Sequence, residues 1–200
     1  MMSEYDLPLV VASFLVAVLA AYAALFFGAR LVNAESGERR KWLLAGALLM
    51  GTGVWTMHFV GMRAMPMGVP MSFDVIMTLV SWFAAVLASG VALHIIGRKQ
   101  LGVPLFVSAT LSMASGIVVM HYLGMYAMRM SAPPTFNTVF LLISIAIAVV
   151  ASGAALALCR KLQGMDGSGT LAVQFVAALA MAAAICGMHY TGMMAMTFPE

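Results

Sequence analysis

The hydrophobic residues of this 200-residue chain fall into six runs of about 20 positions, separated by short polar segments. At a rise of 1.5 Å per residue, each run is long enough to cross a hydrocarbon core ~30 Å thick as a helix. The pattern therefore predicts an all-α membrane protein with six transmembrane helices. The predicted spans are residues 7–29, 43–64, 75–96, 103–127, 138–158 and 171–195.

Composition supports a membrane protein and narrows the class further. Hydrophobic residues make up 64% of the chain and charged residues only 8%, whereas a soluble domain has about a quarter charged residues. The N-terminus carries Glu4 and Asp6 where a secretory signal would carry basic residues, so the first run is predicted to be a retained helix. Within the spans there is no buried carboxylate dyad, activated nucleophile or phosphate-binding loop, which argues against an enzyme.

The basic residues predict the orientation of the chain. Only Arg63 and Arg129 lie on one side of the predicted membrane. The positive-inside rule therefore predicts a multi-pass protein of the bacterial cytoplasmic (inner) membrane, embedded in lipid, with its N-terminus outside. This topology accounts for the net charge of +3 without a nucleic-acid partner. The eight basic residues on the predicted inner side are Arg30, Arg39, Arg40, Lys41, Arg98, Lys99, Arg160 and Lys161.

One nine-residue pattern, Met-His-aromatic-x-Gly-Met-x-Ala-Met, occurs three times, at residues 57–65, 120–128 and 188–196. The starts of the odd-numbered spans repeat at similar offsets, each as an aromatic residue followed by Asp6, Asp74 or Asn137. The chain is therefore predicted to be three copies of a two-helix hairpin. The predicted repeats are residues 1–65, 66–128 and 129–196.

A two-span repeat returns the chain to its starting side, so the three copies have parallel orientation. This predicts a bundle with pseudo-threefold symmetry about the membrane normal. If the even-numbered helices are the inner ones, His58, His121 and His189 meet near the axis. His58 is 16 residues beyond Trp42 at the inner boundary, or roughly 24 Å across the membrane, which predicts a site in the outer leaflet.

The motif predicts metal binding, at one shared site or at two or three separate His/Met sites. At about 100° per residue, the His, the Gly three positions on and the Met residues four and seven positions on share one face of the helix. Imidazole and thioether together suit copper, with zinc as a competitor. The competing interpretation is tight helix packing with structural histidines. The predicted metal ligands are His58, His121, His189, Met57, Met62, Met65, Met120, Met125, Met128, Met188, Met193 and Met196.

Several other residues have two interpretations. Asp6, Asp74 and Asn137 either orient the histidines through hydrogen bonds or simply cap their own helices. His94 lies at the inner end of the third span, outside the motif, and is predicted to have no role in the site.

The alternative functions are transport or capture of copper or another metal and binding of a lipid or other hydrophobic ligand. Transport requires ligands continuing inward, where the even spans offer only Met50, Met113 and Met181.

The sequence Met188-His189-Tyr190-Thr191 resembles the signature of the bacterial MHYT family of integral membrane sensor domains, and the resemblance extends over the whole chain. It implies copper bound by the Met and His residues of the three motifs and sensing of O2, CO, NO or redox state. It also implies fusion to a cytoplasmic diguanylate cyclase or phosphodiesterase module. The other copies have Phe59-Val60 and Tyr122-Leu123 in place of Tyr-Thr, so a role for the threonine is not expected in every copy.

Six spans leave the C-terminus outside. A seventh helix and a cytoplasmic output domain are therefore expected to be absent from this fragment and present in a longer protein. The sequence leaves the oligomeric state open, with a homodimer as one alternative.

Overall fold

The computed structural model describes residues 5–65, 72–129, 134–162 and 168–197. These residues form six long helices and one two-stranded pairing, and all six helices are long and apolar enough to cross a membrane, which confirms the six predicted spans. The predicted outer loops rich in Met and Pro, at 66–71 and 130–133, lie outside the described residues. The helices are α1 (Leu7–Leu31), α2 (Ser36–Arg63), α3 (Val75–Ile96), α4 (Val103–Tyr126), α5 (Thr138–Leu162) and α6 (Ser168–Ala195).

Several helices extend further than the hydrophobic pattern predicts, on the side of the bundle where most of the basic residues lie. The helix α2 begins at Ser36, seven residues before the predicted span, and α5 continues to Leu162, four residues past it. The extra turns contain Glu, Arg and Lys, which are good helix formers that prefer water to lipid. Hydropathy therefore identifies the membrane-crossing part of each helix and not its full length.

Two arginines bind the carbonyl groups left unpaired at the C-terminal ends of α1 and α3. Arg39 Nη1 donates to the carbonyl oxygens of Leu31, at the end of α1, and of Gly97, just after α3, at 3.1 and 2.8 Å. Arg160 donates to three carbonyl oxygens at the end of α3 and in the following turn. The last carbonyls of a helix lack partners within the helix and attract cations. These arginines therefore tie α2 and α5 to the end of α3.

At the opposite membrane face, each hairpin is closed by backbone hydrogen bonds. The amide before each odd helix donates to a carbonyl at the end of the following even helix or just after it, at 2.7–2.8 Å. In the third hairpin, β1 (Thr135–Phe136) also pairs antiparallel with β2 (Met196–Thr197). The donor and acceptor pairs are Asp6 and Ala64, Asp74 and Ala127, and Asn137 and Ala195.

Small residues allow the helices to approach closely, as is usual in membrane bundles. Gly53 of α2 faces Ala20 of α1, and a Cβ at Gly53 would overlap that alanine. The alanine-rich face of α1 makes this odd helix as buried as α2. In both helices 39% of the residues in the apolar stretch are buried, against 22% in α3 and in α5. The division into inner even and outer odd helices therefore stays a prediction.

Candidate metal centre

Three histidines from three different helices meet in the interior of the bundle. His58 lies on α2, His121 on α4 and His189 on α6, and each is at most 1% exposed. Their Nδ1 atoms form a triangle with sides of 3.0, 3.2 and 3.3 Å. Among the described residues, this is the group of His, Cys, Asp or Glu side chains that can hold a metal ion. The motif spacing alone allowed either one shared site or several separate sites.

The convergence of three Nδ1 atoms is chemically unusual for neutral imidazoles. A neutral ring has one N–H, so each Nδ1 is either a donor or an acceptor, but not both. Three donors or three acceptors at one centre repel each other, and mixed arrangements leave some atoms poorly paired. A cation at the centre would satisfy three lone pairs at once. The donor chemistry therefore fits a metal ion.

The size of the triangle also fits a metal ion. Its centre lies about 1.8 Å from each Nδ1 atom, as follows from the three side lengths. A zinc–nitrogen bond is ~2.0–2.1 Å long, so a movement of about 0.2 Å by each ring would complete a trigonal set. Imidazole nitrogens suit both copper and zinc, so the three nitrogens by themselves do not identify the metal.

The other ring nitrogen of each histidine packs against a motif glycine on a neighbouring even helix. Nε2 of His58 lies against Gly124, Nε2 of His121 against Gly192, and Nε2 of His189 against Gly61. A Cβ at any of these glycines would overlap the imidazole. None of the three Nε2 atoms has a hydrogen-bond partner. Each imidazole is therefore held between the shared centre and the backbone of the next even helix.

The nine predicted methionine ligands lie in two places. The residue preceding each histidine is at most 1% exposed and belongs to the large apolar core. Most of the others form a separate cluster on the side of the histidines that is predicted to face outward, which we call the outer methionine cluster. The core residues are Met57, Met120 and Met188. The outer methionine cluster contains Met62, Met125, Met128, Met193 and Met196, with Met65 packed against it.

The polar residues at the starts of the odd helices cap those helices. The Oδ1 atoms of Asp6, Asp74 and Asn137 accept hydrogen bonds from backbone amides two or three residues further on. This confirms the interpretation as N-caps. The histidine Nδ1 atoms contact each other and their Nε2 atoms have no partner, so these bonds do not reach the imidazoles.

Comparison with known proteins identifies the family. The family model MHYT, described as a bacterial signalling protein N terminal repeat, matches residues 1–46, 51–109 and 115–169. The chain belongs to the MHYT family. No solved structure matches it.

In two curated relatives, the MHYT region forms one part of a longer protein. The chain is 42% identical over its full length to the bifunctional diguanylate cyclase/cyclic di-GMP phosphodiesterase MucR of Pseudomonas aeruginosa, and covers 29% of that protein. It is 35% identical over 192 residues to the cyclic di-GMP phosphodiesterase NbdA of the same species, and covers 24% of it; 96% of this chain is aligned. The chain thus spans less than a third of the length of these relatives and corresponds to their MHYT region.

The aromatic position of the MHYT motif contacts a buried serine that sequence reasoning missed. Tyr190 bonds to Ser13 at 2.9 Å, and Tyr122 to Ser144 at 2.7 Å. Each serine donates to a carbonyl three residues earlier, so the tyrosine is the donor to the serine. The offsets of 68 and 63 residues that relate the odd helices also relate Ser13, Ser81 and Ser144, and this was the signal available in the sequence.

The first copy preserves this contact with a different donor. Its motif has Phe59, which lacks a hydroxyl, and Trp55 Nε1 donates to Ser81 instead, at 3.1 Å. In each copy the aromatic ring that follows the histidine also contacts the histidine ring edge-on, at centroid distances of 4.8–5.0 Å. In the second and third copies the motif tyrosine therefore links the histidine to the odd helix of another hairpin. In the first copy Phe59 contacts the histidine, and the neighbouring Trp55 makes the link to the odd helix.

Replacing Tyr122 with phenylalanine tests this link. The variant loses one buried hydrogen bond while Ser144 keeps its bond to the backbone, so we expect the free energy of unfolding to fall by about 1 kcal/mol. Reversible unfolding in mixed micelles measures the change. The matched control is Tyr126→Phe, since Tyr126 lies on the same helix but is exposed. An equal loss in both variants would contradict a specific role for Tyr122.

The carboxyl of Asp74, at the start of α3, predicts a pH dependence of stability. Its hydrogen bond from the Met77 amide, and then the nearby Arg129 guanidinium at 3.5 Å, lower the pKa of this carboxyl below the ordinary value of 3.8. A carboxyl whose pKa is lowered by folding stabilises the folded state fully at pH values above its ordinary pKa. That stabilisation is lost as the pH falls through the pKa of the carboxyl in the folded state.

We therefore expect Asp74→Asn to reduce the loss of stability on acidification below about pH 4, because asparagine still caps the helix but carries no charge. Thermal unfolding between pH 3 and pH 7 measures the effect, with Asp6→Asn as the matched cap substitution. Parallel pH profiles for wild type and Asp74→Asn would refute this prediction.

Proposed function

We propose that this chain is a membrane signal-input domain that binds copper through His58, His121 and His189. The observation that carries the proposal is the meeting of three buried imidazoles through their Nδ1 atoms, in a region that otherwise favours apolar side chains. An intramembrane histidine is costly and commonly functional. Three of them with one shared centre are better explained by a ligand than by packing.

The positions of the motif methionines bear on the choice between copper and zinc. The thioethers of the outer methionine cluster are the next soft donors on the outer side of the triad, and they favour copper over zinc. Met57, Met120 and Met188 neighbour the histidines in the core. Copper bound there would supply a redox change or a binding position for O2, CO or NO.

The imidazoles provide a mechanical link between the site and the helices. Each ring is held between the shared centre and a glycine of another even helix. A small outward movement of the Nδ1 atoms therefore presses the opposite edge of each ring on α2, α4 and α6. Ligand binding shifts such an equilibrium only as far as its affinity differs between the two helix arrangements.

Recurrent contacts support a pseudo-threefold arrangement of three parallel hairpins, with repeats near 1–65, 66–128 and 129–196. The imidazole–glycine contact, the aromatic–serine bond and the closing bond of the hairpin each occur three times. The distribution of basic residues supports an N-terminus outside the inner membrane, and hence a site near the outer face. Signals would then pass to a cytoplasmic cyclic-di-GMP module, as the names of the relatives suggest.

Copper(II) loading of the purified chain tests the proposal. We expect one Cu(II) per chain with a paramagnetic spectrum showing coupling to nitrogen, and no such signal after His58, His121 and His189 are all replaced with alanine. A folded triple variant with an unchanged copper content and spectrum would overturn the proposal. In cells, the cyclic-di-GMP response of the full-length protein to copper should disappear with the same three substitutions.

A further inference from the structure

Three further methionines occupy matching positions on the even helices, closer to the inner face. Met50, Met113 and Met181 each precede the histidine of the same helix by eight residues, or about 12 Å along the helix axis. All three are at most 5% exposed. They line one small cavity together with Cys159 of α5, a buried free cysteine. Four sulfur-bearing side chains from four helices therefore surround the same space.

The chemistry and size of this cavity select among ligands. Its lining is apolar apart from sulfur, with no exposed oxygen or nitrogen, so it cannot hold Mg²⁺ or Ca²⁺, which need oxygen ligands. The cavity has a volume of about 10 Å³, which is room for about one water-sized sphere. That is enough for a single ion and too little for an organic ligand. Thioethers and thiolates select Cu(I).

We propose that Met50, Met113, Met181 and Cys159 form a second metal site, which binds Cu(I). Thioethers are neutral and leave the charge of the ion uncompensated, which is costly inside a membrane protein. Cys159 resolves this, because its thiol releases a proton to solvent on binding and the thiolate neutralises the ion. Its Sγ lies against Gly28 of α1, where a Cβ would overlap it.

An apolar layer separates this site from the histidines. It consists of Val54, Ile117 and Ile185, each four residues before the histidine on the same helix and each at most 7% exposed. The layer offers no metal ligand. The two sites therefore bind copper separately, and the second site does not depend on the function proposed for the histidines.

The competing explanation is that these methionines only fill the core, for which their flexibility suits them. The two explanations differ in what Met→Leu substitution does, since leucine conserves volume at a usual cost below ~1.5 kcal/mol but cannot bind a metal. If the methionines are filler, triple substitution with leucine leaves Cu(I) binding unchanged. If they are ligands, it removes one bound ion.

The experiment starts from the full chain with His58, His121 and His189 replaced by alanine, in detergent micelles. After loading with Cu(I) under ascorbate without oxygen and removal of free metal, we expect one copper per chain, with sulfur as the neighbouring atom by X-ray absorption. Adding Met50→Leu, Met113→Leu and Met181→Leu should remove it. The control adds Met77→Leu and Met194→Leu instead, at two exposed methionines, and should retain it.

No retained copper in the starting variant, or copper that survives the three leucine substitutions, would overturn the proposal. The second outcome would place the ion in the outer methionine cluster. If the combined variant does not fold, Cys159→Ser in the otherwise wild-type chain provides the test. Wild type should release one proton for each Cu(I) bound at this site, and Cys159→Ser should not; equal proton release by both proteins would also overturn the proposal.

The outcomes distinguish the two copper sites. The nitrogen-coupled Cu(II) signal reports the histidines and should persist in the Met50→Leu, Met113→Leu, Met181→Leu chain. Its absence from wild type would count against the histidine site alone. Cu(I) bound by sulfur in the histidine-free chain would still support the second site.

Discussion

Gly192→Ala is expected to abolish copper binding at the histidine triad and to lower the free energy of unfolding by about 1–3 kcal/mol, as overpacking of a tight core usually does. A Cβ at this position would overlap Nε2 of His121. The imidazole would be forced inward, onto the other two Nδ1 atoms, or out of the triad altogether. Copper content after loading and unfolding in mixed micelles measure the two effects.

The same helix offers a matched control. Gly187 of α6 lies five residues before Gly192, and a Cβ there would have no atom within 4 Å. Alanine also favours a helix over glycine by about 1 kcal/mol. We therefore expect Gly187→Ala to bind copper normally and to be as stable as wild type or more so. If the two variants behaved alike, the packing of His121 on Gly192 would not matter for the site.

His121→Ala is expected to lower the copper affinity by a factor on the order of 100 or more, since even residues that merely orient metal ligands are worth 10–100-fold. Copper at 100 times its dissociation constant should stabilise the wild-type chain by about 2.7 kcal/mol. The variant should lose most of that stabilisation. Thermal unfolding with and without copper measures it.

His94→Ala is the control for the loss of a histidine elsewhere in the chain, because His94 is exposed in the last turn of α3 and lies outside the triad. It should keep both the affinity and the stabilisation by copper. A His121→Ala chain that copper still stabilises as strongly as wild type would show that the triad is structural.

Much of the fold followed from local pattern. The six helices, the capping residues and the threefold recurrence of the motif are properties of short segments, because hydropathy, cap preference and internal repetition are all readable without knowing which segments touch. The meeting of His58, His121 and His189 required one more step, from three parallel hairpins to a shared centre. The structure bears out that meeting.

The composition of the site was less predictable. The motif predicted the histidine and the three methionines of each copy as metal ligands without distinguishing among them. The structure brings the histidines together and divides the methionines between the core and the outer methionine cluster. The serine partners of the aromatic residues were also missed. Ser81 pairs with Trp55 rather than with the aromatic residue of its motif, and this exchange depends on side chains that meet only in the bundle.

The sequence by itself determined the number of membrane helices, their start and end to within about a turn or two, the caps, and which residues recur at equivalent positions. Those properties are set by interactions between a segment and its solvent or its own backbone. The tertiary structure alone decided that the histidines face each other through Nδ1, that Nε2 lies on the glycine of another helix, and that four sulfur-bearing residues share one cavity. These facts depend on the rotation and separation of packed helices, which contacts between distant residues determine.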